Sequence, residues 1–199
     1  MIANENQLVT STPRLIDEAL QPFNVVLKAN VSWLSNCYGM AHTRYKDAAQ
    51  GSNSATNRRK HAFPAVPGEK TEYINLFPDE HLKSFSFFVL ENGMMDVEYT
   101  SDTNSPKVEA TLGMVVWYDL RDIYGAQWAT NSVQNVVRDL MQVLRTLHVV
   151  GLYHSWYKVA FDKNRVYSGF SVGDIDEVAF MRPKGCFKLI GDIIYKETC

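Results

Sequence analysis

From residue 108 onward the hydrophobic period changes in a fixed order: two, then 3.6, then two again. Val108 to Leu120 alternates at strand period and is long for a strand, with Gly113 inside it as a place for a bulge or bend. Ser132 to Leu147 gathers Val133, Val136, Val137, Leu140, Met141, Leu144 and Leu147 on one stripe. Gln134, Arg138, Asp139, Gln142 and Arg145 fall mostly opposite, so this stretch predicts an amphipathic helix, capped by Asn131 or Ser132. Tyr153 to Tyr195 returns to short-period runs. Trp156–Phe161 and Val166–Phe170 flank Asp162-Lys163-Asn164, which reads as a hairpin turn, and Phe187 to Ile194 alternates in a final strand. The order predicts an α+β fold, an antiparallel or mixed sheet packed on one long helix, with 107–199 as a β-α-β-β-β core.

The first half is less periodic. Leu15, Ile16, Ala19, Leu20, Phe23, Val26 and Leu27 keep helical spacing behind Thr12-Pro13, a hydroxyl cap followed by proline at the first helical position. Pro22 interrupts that face, so a kink or two short helices is expected, with Val31, Trp33 and Leu34 extending the second piece. Residues 1–38 thus read as an N-terminal helical arm on a single 199-residue domain. Phe63 to Gly68 is an extended stretch ending in a turn, and Glu72 to Phe77 a short strand. Pro78-Asp79-Glu80 reads as a turn. Ser84 to Leu90 is a strand, Asn92-Gly93 a tight turn, Met94 to Tyr99 the returning partner, and 100–106 a loop.

Residues 47–62 read as a mobile polar and basic loop. Arg44, Lys46, Arg58, Arg59 and Lys60, opposed only by Asp47, make it a solvated surface or a finger for phosphate or an acidic partner. The whole chain carries a formal charge of −2, which argues against a general nucleic-acid coat. Cys37, Cys186 and Cys199 form no C-x-x-C pair and read as reduced thiols. The amino-terminal residues Met1 to Asn6 carry no basic and apolar secretion pattern, and no apolar run reaches membrane-spanning length, so a soluble protein is expected.

Reaction chemistry is hard to find. The phosphate-binding patterns G-x-G-x-x-G and G-x-x-x-x-G-K-[ST] are missing. Pro78-Asp79 resembles the start of a metal-dependent nuclease motif, but no acid in the chain is followed two positions later by lysine. His42, His61, His81, His148 and His154 include no pair at helical i, i+4 spacing. His148 and His154 lie six apart across a helix-to-strand turn and, with nearby acids, are the material for a cryptic enzyme site. Cys186 has Arg182 and Lys184 close in sequence, which would lower a thiol pKa, although a buried inert cysteine is the commoner case. Asp174, Asp176 and Glu177 lack the calcium-loop spacing and read as an acidic turn.

Two groups of words carry a family resemblance: Phe63-Pro64-Ala65-Val66, Glu72 to Glu80 and Phe85-Ser86-Phe87-Phe88, then Met181 to Phe187. Together they resemble the neck and tail-junction ring proteins of tailed bacteriophages, particularly the crAss-like type. The order of helix and strands also looks like tail-terminator folds, an analogy of fold alone. The resemblance implies a virion structural protein with no catalytic residues and no cofactor or metal. It would form a homo-oligomeric ring between portal and tail, touching portal, other ring proteins and tail proteins, with packaged DNA in its channel. It also implies assembly in the host cytoplasm, residence in the virion and no membrane partner. The rival readings are a small enzyme and an accessory protein that binds nucleic acid through Arg58, Arg59 and Lys60.

Overall fold

The structure, a computed structural model, describes residues 13–47, 60–68, 72–78, 83–99 and 106–196. The expectations for the amino-terminal residues, the Thr12 cap, the stretch 48–59 with Arg58 and Arg59, Asp79 and Glu80, His81, the 100–105 loop and Cys199 lie outside them. In chain order the elements are α1 (Pro13–Asn30), β1 (Asn36–Met40), β2 (His42–Asp47), β3 (Lys60–Pro67), β4 (Tyr73–Asn75), β5 (Phe85–Tyr99) and β6 (Pro106–Asp119). Then come α2 (Leu120–Tyr124), α3 (Val133–Thr146), β7 (Leu152–Ala160), α4 (Lys163–Val166) and β8 (Lys184–Lys196). One sheet has the order β1-β5-β6-β8-β7 and the other β2-β3-β4. Only β1 against β5 is parallel among these pairs, so the α+β fold has one mixed and one antiparallel sheet.

Strand β6 sits at the centre, in unbroken antiparallel register with β8 from Lys107↔Lys196 to Asp119↔Lys184. Its alternation feeds two cores. Leu112, Met114, Val116 and Tyr118 join a core with helix residues, while Val115 and Trp117 face another on the opposite side. The second core is closed by Val66 of β3, by Leu76, and by Val166, Tyr167, Ile175 and Ala179 between β7 and β8.

The expected single long helix is corrected to two helices on one sheet face, α1 of 18 residues and α3 of 14. Helix α1 is not a projecting arm. Its Ile16, Leu20, Phe23 and Leu27 are each at most 1% exposed in the same core as Val136, Leu140 and Leu144 of α3. It also runs through Pro22 as one helix. An interior proline costs about 3 kcal/mol, whereas each of those four buried side chains contributes about 1.5–3 kcal/mol, so packing wins. Pro22 itself faces solvent.

Other local readings are also corrected. The helix stops at Asn30; Val31 and Leu34 enter the core, and Cys37 and Tyr38 belong to β1. Asn92-Gly93 makes no hairpin turn: β5 passes through it, with an irregular register between Leu90 and Met95, so the irregularity expected at Gly113 falls on the neighbouring strand. The polar loop is framed by strands, since Asp47 closes β2 and Lys60 to Ala62 open β3. Asp162-Lys163-Asn164 starts a helical turn, because the Asp162 carboxylate accepts from the Asn164 and Arg165 amides at 3.0 and 3.2 Å. The expected strand after it is replaced by α4 and two 3-10 turns, which bury Val166 and Tyr167 against the sheet.

Candidate functional site

Three regions emerge as places where this chain can meet another molecule: the sheet edges, a basic cleft and a cavity beside two histidines. Strand β7 ends the large sheet and β2 ends the small one. On β7, Tyr153 and Tyr157 are 65% and 59% exposed, and on β2 Tyr45 is 62% exposed. An edge strand carries backbone groups with no ladder partner on its outer side, and an exposed ring beside it offers apolar area at little entropy cost.

The basic residues expected to form one finger are distributed differently. Arg44 lies on β2, where its guanidinium carbon sits 3.4 Å from the centre of the Tyr73 ring of β4. It therefore ties the two outer strands of the small sheet together by stacking. Lys46 and Lys60 fall at the β2 and β3 ends of the same hairpin. Arg58 and Arg59 lie outside the described residues.

A second group of cations converges on a cleft of about 480 Å³ between the start of β8, the end of β6, the start of α3 and the turn at α4. Lys163, Arg182 and Lys184 line it together with Phe161, Asp162 and Tyr118. Arg182 is set in place by neutral partners: its Nη2 donates to the Ala129 carbonyl at 2.5 Å and the Asn131 carbonyl at 3.0 Å, and its guanidinium lies 5.7 Å from the Trp128 ring. Lys184 Nζ is 5.8 Å from the Trp117 ring. Lys163 Nζ is 5.9 Å from Phe180 and 3.4 Å from the exposed Glu177 carboxylate. Asp162 spends its carboxylate on the α4 amides. In the sequence Arg182 and Lys184 stand out as neighbours of Cys186, whereas Lys163 sits in a stretch that reads as a hairpin turn. The signal that places it is Asp162, a capping aspartate immediately before a helical turn.

The thiol beside those cations follows the commoner reading, a buried inert cysteine, and not the activated one. Cys186 is 7% exposed, and burial, reinforced by the Asp162 charge, pushes its pKa up to about 12. Desolvation outweighs the neighbouring cations, and the thiol is a neutral core group. Burial first of all also raises the Cys37 thiol.

His148 and His154 do reach one cavity, of about 410 Å³. His154 Nε2 lies 3.1 Å from the Leu147 carbonyl, which can only accept, so that nitrogen carries the proton. Its ring packs edge-on against Phe23 at 5.2 Å, and burial lowers its pKa, with the Leu147 carbonyl acting in the opposite sense. Among the described residues the lining brings Arg145 but no carboxylate, and no cluster of His, Cys, Asp or Glu could hold a metal. Asp176 caps the last 3-10 turn by accepting from Val178 N at 3.0 Å, and Glu177 reaches Lys163, so the acidic turn does local work.

Polar chemistry also lies on the sheet itself. Lys188 of β8 is 2% exposed and bridges Glu91 of β5 at 2.6 Å and Ser168 Oγ at 3.0 Å. The pair crosses β6 over Gly113, where a Cβ would stand 2.5 Å from Glu91 Oε1 and 2.7 Å from Lys188 Cδ. Ser168 beside Lys188 has the composition of a nucleophile with a basic partner. The carboxylate at 2.6 Å makes this lysine half of an ion pair, which suits it to structure.

Among the described residues no helix is long and apolar enough to cross a membrane. A scan against models of known protein families finds no match, and no curated protein matches the sequence.

Proposed function

We propose that this chain is a structural virion protein, a subunit of a homo-oligomeric ring at the head–tail junction of a tailed bacteriophage, acting as neck, connector or tail terminator. Its work is to line or seal the DNA channel, and no reaction is assigned to it. The observation that carries this reading is the pair of unlike sheet edges, β7 with Tyr153 and Tyr157 and β2 with Tyr45. A ring closed by rotation joins one face of each copy to a different face of the next, so a subunit needs two unlike adhesive surfaces. Strand edges with flanking rings supply such surfaces by extending a sheet across a boundary. Its partners are then copies of itself, with portal, other ring proteins and tail proteins above and below, packaged DNA within, and the virion as its destination after assembly in host cytoplasm.

Two rival readings stand beside it. The enzyme reading needs an acid beside His148 and His154, and that cavity carries Arg145 instead. The accessory nucleic-acid reading rests on Arg58, Arg59 and Lys60, of which Arg58 and Arg59 lie outside the described residues.

Mass photometry of the full chain, alone and mixed with a phage portal protein, tests the proposal. A closed high-order ring is expected, reduced to monomer by Tyr153→Lys with Tyr157→Lys. A chain that stays monomeric at high concentration and ignores portal rejects it.

A further inference from the structure

We infer that the cleft lined by Lys163, Arg182 and Lys184 is a binding site for a nucleotide unit, its phosphate held by the three cations and its base laid against Phe161. The inference stands apart from the ring reading, since a monomer has the whole cleft.

The argument begins with charge. Three cations line the cleft with one carboxylate, Asp162, which is already engaged by two backbone amides; Lys163 also meets the exposed Glu177 carboxylate at 3.4 Å, and Asp119 lies opposite Lys184 in the sheet register. Among the described residues neither Arg182 nor Lys184 has a carboxylate within ion-pair distance. Arg182 is held by carbonyl oxygens and an aromatic ring, contacts that fix position without cancelling charge, while Lys184 lies near the Trp117 ring and shares the Asp119 charge with Arg121. A guanidinium anchored through one nitrogen keeps its other N–H groups for a ligand, and planar forked donors suit phosphate oxygens. Because these groups are positioned beforehand, an anion entering the cleft meets less ordering cost.

Shape and apolar surface narrow the ligand. A volume of about 480 Å³ falls in the range of small-molecule sites and is too small for a duplex. Phe161, beside the cations, is 47% exposed, and an exposed ring next to positive charge is the pairing by which single-stranded nucleic acid is held. An acidic peptide would satisfy the cations but would leave the ring unused. A free nucleotide and one unit of a single strand share this chemistry.

The test uses the full chain and three probes: a labelled oligonucleotide of about eight nucleotides, a deoxynucleoside monophosphate and inorganic phosphate. Fluorescence anisotropy and calorimetry follow binding. With three contacts to a single strand, affinity is expected to fall about 20-fold between about 50 and about 200 mM salt. Lys163→Gln should lower the salt slope by about one contact, and Phe161→Ser should weaken oligonucleotide binding about tenfold. Both side chains are at the surface, so circular dichroism should show folded variants, and Lys28→Gln on α1 should bind like the parent chain. Tight monophosphate binding that responds to both variants identifies a nucleotide pocket, whereas oligonucleotide binding alone identifies a single-strand track; either supports the inference. Three results overturn it: no binding of oligonucleotide or nucleotide at low salt, binding indifferent to both variants, or displacement of the oligonucleotide by polyglutamate at equal charge concentration.

Discussion

The two faces of the large sheet solve different problems. Toward the helices the surface is apolar: Phe23 meets Phe88 at 5.9 Å, and Leu112, Met114, Val116, Leu189 and Ile193 fill the space below α1 and α3. Toward the other side, aromatic packing of Phe85, Phe87 and Trp117 at one end gives way to Lys188–Glu91–Ser168 and then to Asp192, which accepts from Thr111 at 2.7 Å and from Tyr157 at 3.3 Å. Apolar burial is additive and tolerant of direction, so the helical face can carry stability by area. Polar groups at a half-covered surface need named partners, and the same groups are available for recognition.

The contrast can be broken by substitution. Phe23→Ala should cost the most, about 4 kcal/mol in denaturant unfolding, because it empties the junction of α1 with the sheet. A loss under about 1 kcal/mol would mean that α1 is loosely attached. On the opposite face Glu91→Gln should cost about 3 kcal/mol by stranding the buried Lys188 ammonium, while Glu91→Leu with Lys188→Met should recover most of that loss. If the double variant is no better than the single, the pair contributes net stability. Gly113→Ala should act on the same pair and cost about 2 kcal/mol through crowding.

At the boundary between the faces, Asp119 caps α2, accepting from the Arg121 amide at 2.9 Å and pairing with its guanidinium at 2.6 Å. Burial would raise its pKa, but the Arg121 hydrogen bonds and charge, with the Lys184 charge, hold it below the ordinary 3.8. A depressed carboxylate contributes stability above its unfolded value, lost as pH falls through the folded one. Asp119→Ala should therefore cost about 1 kcal/mol near neutrality and almost nothing at the acid end, read from melts across the acid range. The smallest effect sits in the second core. The Tyr167 hydroxyl is buried with no hydrogen-bond partner among the described residues, so Tyr167→Phe should stabilise by up to about 1 kcal/mol. A loss instead would reveal a partner that the hydroxyl finds in solution.

Legibility follows the range of the interactions that decide each element. The β6 and α3 spans were readable because periodicity over a dozen residues is a local property, and the two element types differ in it. Asn92-Gly93 was misread because local turn chemistry lost to continued pairing of β5 with β6 out to Tyr99↔Pro106. Pro22 misled for a related reason, since the core compensates a defect visible in the chain. In the candidate site, Arg182 and Lys184 are legible as cations beside Cys186, and of the two readings of that thiol the buried, inert one holds. Nearness in sequence to Cys186 says nothing of solvent access, and access sets which way the thiol shifts.

By itself the amino-acid order determined which segments have a strand or helix period, where α3 is capped, and that charge is nearly balanced, because these depend on neighbours a few positions apart. Only the folded chain decided that β1 lies parallel to β5, that α1 belongs to the core, and that Lys163 meets Arg182 and Lys184 in one cleft. Those outcomes depend on which distant surfaces exclude water together, and that choice is made by the whole chain at once.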